Sequence, residues 1–99
     1  MPGFRITEKA MDDLRSIARR TEEKWGRNQR NKYLSMLDEG FNTIAQRPDL
    51  GVACDYIRPG YRKYRVGRHL IFYLQNTDYV GIIRILHDRM DLPSHLIDP

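Results

Sequence analysis

A change of hydrophobic period near residue 50 constrains this chain more than any other feature. Before it, Met11, Leu14, Ile17, Ala18, Thr21 and Trp25 share one side of a helical wheel, as do Tyr33, Leu34, Leu37, Phe41, Ile44 and Ala45. Past "PDLG" the pattern alternates, in "YRKYRV" (61–66), "HLIFYLQ" (69–75) and "VGIIRILH" (80–87). A period of about 3.6 lays an apolar stripe along a helix, and a period of about 2 lays an apolar face on a strand. Two helices followed by three strands define an α+β chain.

Local signals set the boundaries. Residues 3–6, "GFRI", are a short strand candidate, and Thr7 offers an N-cap with Glu8 in the first turn. Gly26 stops the first helix; the second runs from about residue 28 to 46 and ends at Arg47-Pro48, because the residue before proline is pushed out of the α region. Gly40, inside that second helix, costs roughly 1 kcal/mol against alanine and is expected to mark close packing on the first helix. The pair reads as an αα-hairpin. Gly67-Arg68 suits a two-residue hairpin turn. Short connections make the three strands an antiparallel meander. The expected order is β-α-α-β-β-β, a helical hairpin packed on one face of an antiparallel sheet. A chain of 99 residues buries one small core, so residues 1–99 form a single domain.

The hairpin turn opposes Val66 to His69, Tyr64 to Ile71 and Arg62 to Tyr73; with Ile83 and Ile85 this set is assigned to the core. The alternate set holds Tyr61, Lys63, Arg65, Leu70, Phe72 and Leu74, joined by Ile82, Arg84 and Leu86. It mixes cations with large apolar groups, a composition that suits a surface covered by a partner. A slip of one residue would exchange the faces.

The formal charge is +4, and no acid occurs between Asp55 and Asp78, a stretch holding Arg58, Arg62, Lys63, Arg65 and Arg68. Such a patch attracts nucleic acid or an acidic protein. A solvated strand edge protected by cations is the competing reading. The apolar runs are too short to span a bilayer, "MPGFRITEK" lacks the core of a secretory signal, and Cys54 is the only cysteine. A cytoplasmic protein with no membrane partner is expected.

His69, His87, His95, Cys54 and Asp91 show no spacing that places two metal ligands together, so neither a metal nor a cofactor is expected. Cys54 precedes Asp55 and lacks an adjacent cation, which describes a packed residue rather than a nucleophile. Metal-free RNA cleavage needs a base or acid near neutral pH and cations for the charge on phosphorus. His87 with Arg65 and Arg84 would meet that need. Alternatively, His87 caps a strand end against Asp91, and Arg84 pairs with an acid.

"GYRKYRVGRHLIFY" followed by "IRILHDRMD" resembles the ParE toxins of the RelE/ParE toxin–antitoxin superfamily, and "RRTEEKWG" and "PDLGVACDYIRPGY" fit the same branch. The resemblance implies the toxin of a type II system, linked to stress and plasmid stabilisation and made with a ParD-like antitoxin. It implies a poison of DNA gyrase that acts by binding, not catalysis, and meets DNA only through the antitoxin or gyrase. Ribosome-dependent endoribonucleases of the RelE type share the fold and use basic residues with a terminal tyrosine or histidine. Arg65 and Arg84 stand where such arginines might be, but no tyrosine follows Arg84; His87 and Arg89 are nearest. The ribonuclease alternative therefore rests on Arg65, Arg84 and His87. The expected target-binding set is Arg65, Arg84, His87, Arg89 and Met90, at a recognition corner where the last strand ends. The expected antitoxin-binding set is Lys63, Arg65, Leu70, Phe72 and Leu74.

Overall fold

The computed structural model describes residues 3–89. Strand β1 (Gly3–Ile6) leads into helix α1 (Glu8–Trp25) and helix α2 (Arg27–Gln46). Strands β2 (Val52–Ala53), β3 (Tyr61–Val66), β4 (His69–Gln75) and β5 (Tyr79–His87) follow. They form one sheet of order β1-β5-β4-β3-β2. The α+β class and the helical hairpin on one sheet face are as expected. β3, β4 and β5 form the antiparallel meander, whereas β1 lies parallel to β5, so the whole sheet is mixed. The two residues of β2 add an edge strand beside β3.

Thr7 links the two layers. Its hydroxyl accepts from the Ala10 N–H at 3.1 Å, capping α1, and donates to the Ile83 carbonyl at 2.9 Å. Its own N–H donates to the Ile82 carbonyl at 3.1 Å, so the first turn of α1 is clipped to β5. Gly26 sits between the helices at φ 91°, a conformation that costs a side chain dearly, and breaks the chain into an αα-hairpin. Trp25, expected on the buried stripe, is instead 65% exposed at the end of α1. The hairpin turn begins there, beyond the reach of the sheet.

The main core joins Ala10, Ile17, Leu37, Phe41 and Ile44 of the helices to Val66, Ile71, Tyr73, Val80, Ile82 and Ile85 of the sheet. Gly40 makes the close approach, but to the sheet and not to α1. A Cβ at this position would lie 2.8 Å from Val66 Cγ2 and 3.3 Å from Ile71 Cδ1.

The second sheet face differs from expectation. Register is as anticipated between β3 and β4, with Arg65 opposite Leu70 and Lys63 opposite Phe72. Between β4 and β5 it shifts: Phe72 faces Arg84 while Tyr73 faces Ile82, leaving Ile83 as an extra residue. This bulge reverses two assignments, because an extra residue changes the alternation beyond it. Ile82 belongs to the main core, and Ile83 packs beside the second cluster. That cluster consists of Cys54, Tyr61, Phe72 and Leu86, with Ile57, Leu70 and Leu74 around it. The segment between β2 and β3 covers the sheet here. It is held by the Cys54 N–H to the Tyr61 carbonyl at 2.8 Å and by the Gly60 N–H to Asp55 Oδ1 at 2.7 Å. Phe72, expected on an open face, is fully buried by its own chain. Cys54 is buried as well, and burial pushes its thiol pKa up, in keeping with a packed residue.

Candidate functional site at the end of the meander

The β3–β4 turn and the end of β5 lie side by side, since His69 at the start of β4 is paired with His87 at the end of β5. Their rings meet edge to face at 5.3 Å. From α2, Tyr33 reaches the same point, its hydroxyl 2.6 Å from His69 Nδ1. That oxygen also accepts the Arg68 N–H at 3.2 Å and lies 3.2 Å from the Val66 carbonyl. A phenol has one proton and two lone pairs. All three contacts are satisfied when neutral His69 donates from Nδ1 and Tyr33 donates to Val66. Burial, reinforced by the neighbouring His87, lowers the His69 pKa to about 4, so the ring is neutral at pH 7. Burial raises that of Tyr33.

On the far side of this point, Arg65 holds Asp88. NH1 and NH2 lie 3.0 and 3.2 Å from Asp88 Oδ2, and the Asp88 N–H donates to the Arg68 carbonyl at 3.0 Å. The Arg89 N–H donates to His87 Nδ1 at 3.1 Å. The same Nδ1 lies 3.1 Å from Asp88 Oδ1, which has no hydrogen-bond donor among the described residues.

Arg84 lies elsewhere. The bulge turns it toward α1, where Nε and NH2 fork onto Asp13 at 2.8 and 2.9 Å. Asp13 Oδ2 also accepts the Ile85 N–H at 2.9 Å. The bonds to Asp13 raise the Arg84 pKa further. Of the residues anticipated as one basic set, the structure brings together Arg65, His87 and Arg89, and binds Arg84 to the helix layer. Met90 lies outside the described residues, as do Asp91 and His95.

Around the anticipated antitoxin face, Lys63 donates to the Tyr56 hydroxyl at 3.2 Å, Arg65 is exposed, and Leu70 and Leu74 are half-buried around the covered Phe72. The segment carrying Tyr56 and Ile57 thus belongs to this surface, although sequence reasoning passed over it. Tyr33 and Asp13 were missed too; His69 was weighed only as a metal ligand, and Asp88 fell within the expected corner, His87 to Asp91, without a role of its own. The register of the meander carried a signal for His69, since the strand lengths put it opposite His87; the partners on the helices left none. Among the described residues, no three His, Cys, Asp or Glu side chains converge as metal ligands, and no helix is long and apolar enough to cross a membrane.

Residues 4–92 match the family described as ParE toxin of type II toxin–antitoxin system, parDE. Toxin ParE1 of Mycobacterium tuberculosis is 36% identical over 94 residues, which span 94% of this chain and 96% of that protein. Toxin ParE1 of Caulobacter vibrioides is 34% identical over 96 residues, 97% of this chain and 99% of its own. Toxin ParE of Escherichia coli is 31% identical over 99 residues, covering 99% and 96%. Among solved structures, a chain from the chromosomal ParDE system of P. aeruginosa superposes with a TM-score of 0.75 at 20% identity, covering 88% of this chain and 96% of that one. That last likeness speaks for the fold.

Proposed function

The chain belongs to the ParE toxin family of type II toxin–antitoxin systems, and from that premise we propose that it inhibits DNA gyrase by binding and is neutralised by a ParD-like antitoxin. The observation that favours binding over RNA cleavage is the fate of the two arginines. A metal-free nuclease needs cations free to meet the charge developing on phosphorus. Here Asp88 engages Arg65 and Asp13 forks Arg84 on the helix side, so the pair is not convergent with His87. Arg65, His87 and Arg89 remain as a recognition corner, while Arg84 is held on the helix layer by Asp13.

An antitoxin segment that is acidic and amphipathic would pair Lys63 and Arg65 and cover Leu70 and Leu74. Phe72 supports that surface from beneath. The deciding assay is purified gyrase with relaxed plasmid, scored for supercoiling and trapped linear DNA. The full chain should block supercoiling, and the antitoxin should relieve the block. Gyrase left untouched at high molar excess would remove the reading. Site-specific cleavage of ribosome-bound mRNA, abolished by His87→Ala, would replace it with the RelE-type endoribonuclease.

A further inference from the structure

A cleft of about 590 Å³ opens on the helix side of Tyr33, His69 and His87, between α1, the β3–β4 turn and the end of β5. Four cations line it from three separate elements: Arg20 and Lys24 from α1, Arg68 from the turn, and Arg89 after β5. None of the four forms an ion pair among the described residues. Among the described residues the one acid in the lining, Asp13, already holds Arg84. Arg20 and Lys24, four residues apart on one helix, repel each other, and the fold brings two further guanidinium groups toward them. Such an arrangement is relieved by a multivalent anion. Trp25 also lines the cleft, 65% exposed, with the Lys24 ammonium 5.4 Å from its ring centroid.

We propose that this cleft binds a nucleoside polyphosphate, with the phosphates on Arg20, Lys24, Arg68 and Arg89 and the base against the Trp25 indole. The volume is that of a small-molecule site, which typically spans roughly 300–1,000 Å³. One carboxylate would satisfy one or two of the four cations; a run of phosphates meets all of them and carries a base for the aromatic surface. His69, in the lining, stays unprotonated at pH 7, so it adds no charge to that of the four cations. This inference is independent of gyrase, and its test needs neither gyrase nor antitoxin.

Trp25 is the only tryptophan in the chain, so its fluorescence reports on the cleft alone. The full-length protein is titrated with ATP, GTP, inorganic triphosphate and a 5′-phosphorylated single-stranded oligonucleotide. Saturable quenching by nucleotide below about 1 mM is expected, weakening steeply as salt rises. The double variant Arg20→Gln, Arg68→Gln, whose fold is checked by circular dichroism, should bind at least about tenfold more weakly. Quenching at lower concentration by the free nucleotide supports the assignment, whereas tighter binding of the oligonucleotide would assign the cleft to a nucleic-acid strand instead. Three results overturn it: no saturable quenching, binding unchanged in the double variant, or inorganic triphosphate competing as well as ATP in calorimetry. A glutamate-rich peptide that quenches where nucleotides do not also overturns it, and assigns the cleft to an acidic protein segment.

Discussion

Asp13 of α1 grips Arg84 of β5 by a two-pronged bond, 2.8 Å to Nε and 2.9 Å to NH2, across the seam between the helix and sheet layers. Both side chains are mostly buried, at 14% and 17% exposure. The pair adds a charged tie to the hydrogen bonds that Thr7 and Tyr33 make between the layers, and it sits at the bulge where β5 departs from regular alternation.

Asp13→Ala should therefore destabilise the domain by about 2–4 kcal/mol, because it removes the two-pronged bond to a mostly buried guanidinium and the acceptor of the Ile85 N–H together. Asp13→Ala combined with Arg84→Leu should regain part of that loss. Urea unfolding of the two variants measures it. A double variant no more stable than the single one would show that the buried charge is not the cause.

Phe72→Ala should cost about 3–5 kcal/mol, as expected for emptying a buried aromatic site between Cys54, Tyr61 and Leu86. Loss of antitoxin binding in this variant would follow from unfolding. Thermal melts beside co-purification separate the two effects.

Arg65→Gln behaves oppositely. Arg65 is 55% exposed, and an exposed ion pair contributes about 0–1 kcal/mol. The variant should melt within a few degrees of the parent while losing antitoxin binding. A collapse of the melting temperature would instead make the Arg65–Asp88 bond a structural tie.

Gly40→Ala should destabilise even though alanine is the better helix former. The gain in propensity is about 1 kcal/mol, and a contact of 2.8 Å with the stiff, β-branched Val66 must be relieved by moving the helix or the sheet. Restoring stability through Val66→Ala in the same chain would confirm the contact.

His69 couples stability to pH. Its folded pKa of about 4 lies below the ordinary histidine value of 6.5, so the unfolded chain binds the proton more readily. The stability it contributes is complete above pH 6.5 and is lost as pH falls through that window toward 4. The ceiling is about 3 kcal/mol, reduced by partial exposure of the ring. His69→Gln should flatten the dependence between those limits, measured by denaturant midpoints at stepped pH. A slope unchanged by the substitution would place the titration in another group.

The elements were legible in the sequence because their causes are local. Thr7 caps α1 with its own hydroxyl, Gly26 and Pro48 break helices within a residue or two, and Gly67 turns β3 into β4 with the register its two-residue loop dictates. The family, too, was readable from the residues of the meander. The tertiary structure decided what depends on distant segments meeting. A bulge at Ile83 exchanged two core assignments and sent Arg84 to Asp13, 71 residues away. The covering of Phe72 came from a turn whose polar and apolar residues have no periodic mark. Tyr33 reached His69 across 36 residues, and β1 joined β5 in parallel from the other end of the chain. Periodicity reports which side of an element is apolar. It carries no information about which distant side chain that side will meet, and the candidate site is built from such meetings.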